Sequence, residues 1–454
     1  MVLEQDVALF CLAEVVEVFE FALCDGGAEL LAALRILPGA YHINEGHAAF
    51  LVLSRTGTLI REHGLTFDEA RELVRSTTTF TTHTPVPAGH DRFGEDLMRR
   101  YFSDVEKWLG VTWERFMALG YAEDDKTSFN MTYLALSFAG FANGVSKLHG
   151  EVSKELLQSY WPRLLKSEVP VRSVTNGVHL ASWMHPDIAR LLGGGERPIR
   201  GADVAQAAGS VDLDKLWRVR RELRRNLLKK AGENLERAFV ERHDSPALLS
   251  KMLTGLDEHA LIVGFARRFA PYKRANLIFR DIERLKQLLT KSERPLRILF
   301  AGKAHPRDVQ GQELLKEVVE LTRRDDLLGR VFFLDDYDIE LARALVQGVD
   351  VWLNNPIRTL EASGTSGMKS SANGGLNLSV PDGWWVEGFD GSNGWNVGEG
   401  RVWQNPALQD ELDSQSIVRL LDEELLPMFF ERDEHGVPRR WLEMVARNLA
   451  TIQP

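Results

Sequence analysis

The segment Glu361–Gly375, EASGTSGMKSSANGG, holds the densest set of groups that could do chemistry. Ser363, Gly364, Thr365, Ser366 and Gly367 are small enough for backbone N–H groups to approach an anion closely, and a helix starting after them would add its positive end. The run reads as a phosphate cradle. It lacks the Walker pattern GxxxxGK followed by Ser or Thr, so a nucleoside triphosphate site is not implied. Lys369 lies beyond the cradle, where its amine could form a Schiff base with an aldehyde cofactor whose phosphate the loop holds. The plain alternative is a surface lysine in the first turn of a helix.

Other candidates are weaker one by one. Arg268 and Lys273, in RRFAPYKR, follow an apolar strand and could offset repulsion between phosphates, although most basic clusters are solvated surface. His83, in the loop THTPVPAGHDRF, reads alone as a turn cap, and Asn176 as an Asn-Gly turn. His149, in KLHGE, reads as a packed helical residue. No HExxH, CxxC or carboxylate cluster suggests a metal.

The elements that must position these groups change rhythm along the chain. With 454 residues, two or three packed domains and a cleft between them are expected. From Gly26 to about Trp161 the text reads as mostly helical, in stretches such as FDEARELVRSTTTF and FNMTYLALSFAGFANGVSKLHGEVSKELLQSYW. A long charged helix is expected over Leu213 to His243, connecting two domains. Beyond it, short apolar strands (ALIVGFA, LRILFAG, RVFFLDD, VDVWLNN) alternate with helices, the pattern of a doubly wound parallel sheet. Ligands bind such sheets at the carboxyl ends of the strands, where RRFAPYKR and EASGTSGMK both fall.

Composition bounds the partners. A formal charge of -10, from 55 basic and 65 acidic residues, argues against broad nucleic-acid or anionic-membrane binding, so any phosphate site is focal. No segment approaches the roughly 20 apolar residues of a membrane span. Cys11 and Cys24, the two cysteines, give no disulfide framework, and a reducing cytoplasm fits. Residues 1–25 are apolar and acidic, the wrong charge for a secretory leader.

Six ordered blocks, NEGHAAF, FTTHTPVPAGHDRF, TNGVHLASW, RRFAPYKR, FFLDDYD and EASGTSGMK, resemble those of the α-glucan (glycogen and maltodextrin) phosphorylases, and GWWVEGFDGSNGWNVG resembles the shorter bacterial and archaeal branch. The resemblance runs from about Gly26 to the C-terminus. It implies an α/β chain of the glycosyltransferase-B type, two Rossmann-like domains facing a cleft, the N-terminal one incomplete and helix-rich. The boundaries would be an atypical segment 1–25, a partial N-terminal domain 26–185, a linker and connecting helix 186–257, a cofactor and phosphate domain 258–400, and C-terminal helices 401–454.

The implied activity is retaining phosphorolysis of terminal α-1,4-linked glucose to glucose 1-phosphate, with pyridoxal 5'-phosphate as cofactor. Its partners would be an α-1,4-glucan and inorganic phosphate or glucose 1-phosphate, with no nucleic acid and no membrane, and with homo-oligomer formation left open. By resemblance, Lys369 holds the cofactor, Thr365 lies near its phosphate, and Trp183 and Tyr337 lie near its ring, although both also read as core aromatics. Arg268 and Lys273 match the pair that brings the two phosphates together. Glu361, Ser363 and Gly364 match groups holding hydroxyls of the transferred glucosyl unit, with Asn176, Tyr272 and His83 around the same sugar. The His83 carbonyl would also face positive charge at the anomeric carbon. Asn44 and His47 match a structural corner. Asp338 stands where many animal and plant relatives have arginine.

The family's glycine-rich phosphate loop and sugar-covering loop do not occur in this text, which reads as truncated at both ends. Two other readings stay open: an inactive glucan- or cofactor-binding fragment, and a sugar-nucleotide glucosyltransferase of the same fold. Lys369 within GTSGMK argues against the second.

Overall fold

Extended runs too short and too polar to stand out in the text build the first sheet of the computed structural model. The structure describes residues 27–28, 30–86, 90–122, 126–194, 199 and 201–451. Segment 1–25, with Cys11 and Cys24, lies outside them. The chain divides into two units, 1–175 and 176–454. The sequence reading places that boundary after residue 185.

In the first unit the strands are β1 (Tyr41–Asn44), β2 (Thr78–Thr81), β3 (Arg92–Phe93), β4 (Phe129–Asn130), β5 (Phe141–Gly144) and β6 (Val171–Ser173). Four form a parallel sheet in the order β1-β2-β5-β6, while β3 and β4 pair antiparallel. The two long helical stretches expected here are therefore interrupted. The helix Phe67–Ser76 begins at a capping box, Thr66 with Glu69, and ends where a run of β-branched threonines favours extended backbone and enters β2. The second stretch splits into the helix Met131–Ser137, β5 and the helix Lys147–Leu156. Gly140 marks one break: a Cβ there would stand 2.7 Å from the carbonyl oxygen of Arg75. Phe102, Phe116 and Phe129 stack in the core beside the sheet.

The second unit is built on β7 (Leu261–Ala266), β8 (Leu296–Ala301), β9 (Val331–Leu334), β10 (Val351–Asn354), β11 (Leu376–Ser379) and β12 (Gly394–Asn396). All six are parallel, in the order β12-β11-β10-β7-β8-β9. The strands β7, β9, β10 and β11 are buried along their whole length and β8 at every residue but Arg297, as a sheet covered on both faces requires. The winding direction reverses between β7 and β10, which makes their carboxyl ends the topological switch point of the sheet.

The expected charged helix runs over Leu213–Arg242, capped by Asp212 and closed by His243 in the left-handed region. It packs within the second unit, its Leu227, Leu235 and Phe239 against Ile262 and Trp352 of the sheet. Its polar contacts are buried too. Arg224 Nε and Nη2 reach Asp350, at the start of β10, at 3.0 and 2.5 Å, and Asp350 also accepts the N–H of Ile262 at 3.0 Å. Arg220 donates to the carbonyls of Gln347, Val349 and Asn373. The closing helices Pro406–Leu420 and Arg439–Thr451 add Ile417, Leu442 and Val445 to the core that contains Leu353 and Leu378.

Candidate functional site

The loops after β7 and β10 carry most of the sequence-derived candidates. After β10 the chain turns at Gly364, φ 82, into the helix Thr365–Ser371. Lys369 sits in the second turn of that helix, half-buried, with Nζ 3.9 Å from the centroid of the Trp183 ring. Burial lowers the pKa of this amine, and no carboxylate offsets that effect. A lysine in this setting has an enlarged neutral, nucleophilic fraction.

Asn373 joins the two halves of the arrangement. Its amide donates at 2.9 Å to the carbonyls of both Trp183 and Lys369, and its oxygen accepts the N–H of His185 at 2.7 Å. Trp183 and Tyr337 border the same apolar cluster. Asp338 is used locally, as N-cap of the helix Ile339–Gly348, its Oδ1 accepting from Leu341 N at 2.7 Å.

The cradle helix lies tightly on the sheet. A Cβ at Gly367 would stand 2.5 Å from Asn377 Oδ1 and 3.2 Å from Trp384 Nε1. Gly367→Ala must displace the buried Asn377 amide, which also donates to Ser371 Oγ, and overpacking of this kind costs about 1–3 kcal/mol. The expected result is a lower melting temperature, read from thermal unfolding of the variant beside the wild type.

Beside this helix, Glu361 is buried between two cations. Arg267 Nη2 lies 2.6 Å and Lys273 Nζ 2.9 Å from Glu361 Oε2. Burial works against the ionised Glu361, but Arg267 and Lys273 outweigh it and hold the carboxyl below its ordinary value. Lys273 is pushed down to about 8, by burial first and by Arg267 second. Arg267 Nη1 and Ser363 Oγ are buried without a hydrogen-bond partner, so donors remain for a ligand.

The structure thus brings Arg267 against Glu361, while Arg268 is exposed and lies beside the phenol of Tyr272. The Tyr272 ring stands 5.0 Å from Lys273 Nζ, and its carbonyl accepts the N–H of Ile357 at 2.7 Å, tying the β7 loop to the β10 loop. Cations buried at a switch point make a site for an anionic group.

The charge state of Lys273 gives this site a pH dependence. Above about 8 the amine loses its proton, so affinity for inorganic phosphate falls as pH rises between about 7 and about 9.5. Lys273→Arg, always charged, flattens that slope in a calorimetric titration. A wild-type affinity constant across the interval contradicts the assignment.

Asn176 stands in the irregular segment before the helix Leu180–Trp183, half-buried, and no hydrogen bond joins it to the Glu361 cluster among the described residues. In the first unit, Glu45 organises the His83 loop. Its carboxylate accepts the N–H of His83 and the hydroxyls of Thr84 at 3.0 Å and Thr82 at 3.4 Å. Glu45 itself is held at φ 62. Burial lowers the pKa of His83, partly offset by Glu45. His149 is buried, accepts Val145 N–H at 3.1 Å, and is driven down to about 4 by burial.

Sequence reasoning missed Arg267, Asn373 and Asp382. The signal for Arg267 was its place one residue after a strand; Asn373 carried none that joins it to Trp183 and His185, which lie nearly 190 positions away.

A family model described as carbohydrate phosphorylase matches residues 37–393. The chain is 45% identical over 426 residues to a glycogen phosphorylase of Mycobacterium tuberculosis, covering 92% of this chain and 49% of that protein. It is 42% identical over 448 residues to a maltodextrin phosphorylase of Thermococcus litoralis, covering 96% of this chain and 51% of that protein. The chain spans about half the length of these relatives.

Proposed function

The chain belongs to the carbohydrate phosphorylase family, and from that premise we propose that it acts as an α-glucan phosphorylase. It would release terminal α-1,4-linked glucose from glycogen, starch or maltodextrin as glucose 1-phosphate, with retention. The names of the relatives support the substrate class, and the glycosyltransferase-B arrangement of the two sheets is part of the proposal. No helix among the described residues is long and apolar enough to cross a membrane. A cytoplasmic location belongs to the same reading, with homo-oligomer formation left open.

Members of this family generally use pyridoxal phosphate, and the residues present fit it. The observation that carries the proposal is the Lys369 amine over the Trp183 ring, its pKa lowered by burial and one turn beyond a cradle of small residues. Lys369 would anchor the aldehyde, Trp183 and Tyr337 would flank the ring, and Thr365 would lie at the phosphate. When bound, the cofactor supplies a phosphate group that exchanges a proton with the substrate phosphate.

The chain's own residues do the rest. Arg268 and Lys273, with Arg267 added by the geometry, would offset repulsion between the two phosphates, which is electrostatic stabilisation by preorganised donors. Glu361, Ser363 and Gly364 would hold sugar hydroxyls, and Tyr272 and Asn176 would complete the ring of donors and acceptors. The His83 carbonyl would face the anomeric carbon as positive charge develops. No pair of enzyme carboxylates is needed, in contrast to glycoside hydrolysis.

The test is direct. The purified chain, reduced with borohydride, should carry a pyridoxyl group on Lys369 and should form glucose 1-phosphate from maltodextrin and phosphate. Binding of a sugar nucleotide with no cofactor retained overturns the reading. Cofactor retained without turnover assigns the chain a binding role instead.

A further inference from the structure

The segment leaving β11, Pro381–Trp384, clasps the loop that carries Glu361 and Ser363. Pro381 O accepts from Arg358 Nε at 3.0 Å, Asp382 Oδ2 accepts from Glu361 N at 2.9 Å, and Ser363 O accepts from Trp384 N at 2.9 Å. The second oxygen of Asp382 takes the N–H of Gly383 at 2.8 Å, and the nearby N–H of Thr359 also favours the ionised carboxyl. Thr359 is held at φ 76, a conformation that costs a β-branched residue energy and persists only where its surroundings impose it.

Asp382 is 1% exposed. Among the described residues no cation pairs with it, and burial pushes its carboxyl up to about 7 against the backbone donors that favour ionisation. An acid unpaired at this depth destabilises the fold unless its geometry does something a neutral side chain cannot. Here each of the two oxygens takes one backbone N–H, from Glu361 and from Gly383, which only a carboxylate accepts without presenting a donor of its own.

We propose that Asp382 is a positioning residue: by fixing the peptide at Glu361 it aims that carboxylate at Arg267 and Lys273 and sets Ser363 and Gly364 where sugar hydroxyls are to be held. This rests on the phosphorylase reading above for the identity of the ligand, though not for the clasp itself. Asp382 acts only through the loop, and none of its hydrogen bonds reaches the Lys369 helix.

Asp382→Asn, in the full chain, keeps the shape and turns an NH2 group toward a backbone N–H. Amide exchange over residues 357–364 should accelerate about tenfold, the scale of one buried hydrogen bond lost. Binding of glucose 1-phosphate should weaken about tenfold relative to inorganic phosphate, which needs only the cations. Pyridoxyl incorporation at Lys369 should stay at the wild-type level. Asp382→Ser, which keeps one acceptor, gives the same comparison should the first variant not fold.

Unchanged exchange, or equal weakening of both ligands, overturns the proposal, because a general loss of structure would weaken both alike. A wild type that takes up no cofactor and binds neither ligand overturns the phosphorylase reading instead. The exchange comparison then still decides whether Asp382 fixes the Glu361 peptide.

Discussion

Lys369→Ala, purified without added cofactor, is expected to yield no borohydride-trapped pyridoxyl group and to lose phosphorolysis by about a thousandfold or more, equivalent to about 4 kcal/mol or more in the barrier. The reason is positional. The amine is the one group in the Thr365–Ser371 helix able to form a Schiff base with an aldehyde, and it is placed over Trp183 by the two carbonyl contacts of Asn373. Lys369→Arg should fail equally, since it keeps the charge but cannot form the covalent link. Mass spectrometry of the reduced protein reads the first effect, and release of glucose 1-phosphate reads the second. A pyridoxyl group found on another lysine of the wild type would remove Lys369 from the site.

The largest effect on stability is expected at Asp350. Its carboxylate is 2% exposed, pairs with Arg224 at 2.5 Å, and has Arg220 3.8 Å away. Asp350→Ala leaves two guanidinium groups buried without a counter-charge and the N–H of Ile262 without its acceptor. Breaking one side of such a pair costs about 3–5 kcal/mol, well above the value of the pair itself, because the remaining charge stays desolvated. Denaturant unfolding should show that loss, and adding Arg224→Met should recover part of it. Arg220, whose pKa burial already lowers to about 10, keeps three carbonyl partners and should tolerate the change better. An unfolding midpoint that does not move in Asp350→Ala would show that the helix Leu213–Arg242 is held by packing alone.

The second sheet was legible because its four leading strands are mostly apolar runs, and the first three are each followed by a helix of amphipathic spacing. Burial on both faces leaves that signal in the text. The first sheet was hidden by the opposite circumstance. YHIN, TTFT, FANG and VRS are four residues or fewer, mix polar with apolar side chains, and abut helices whose periodicity runs into them.

At the site, Lys369, Lys273 and Glu361 were visible as residue types in a family's blocks. Which of two adjacent arginines turns inward is decided by the backbone leaving β7, and there the text offers Arg267 and Arg268 as equals. Asp382 and Asn373 could not be read as site residues, since the partners that tie them to the site, Glu361 and Trp183, lie 21 and 190 positions away.

Arg274 is held at φ 50, directly after Lys273. That single left-handed residue sends two neighbouring cations in different directions: Lys273 to Glu361, and Arg274 to Asp410 and Asp413 at 2.8 and 2.7 Å and to the carbonyls of Asn355 and Pro356. The aspartates belong to the helix Pro406–Leu420, some 140 residues downstream. A helix far downstream is therefore wired into the local field of the loop after β7. Loss of the helix Pro406–Leu420 would leave Arg274 its two carbonyl partners but no carboxylate, an uncompensated positive charge one residue from Lys273.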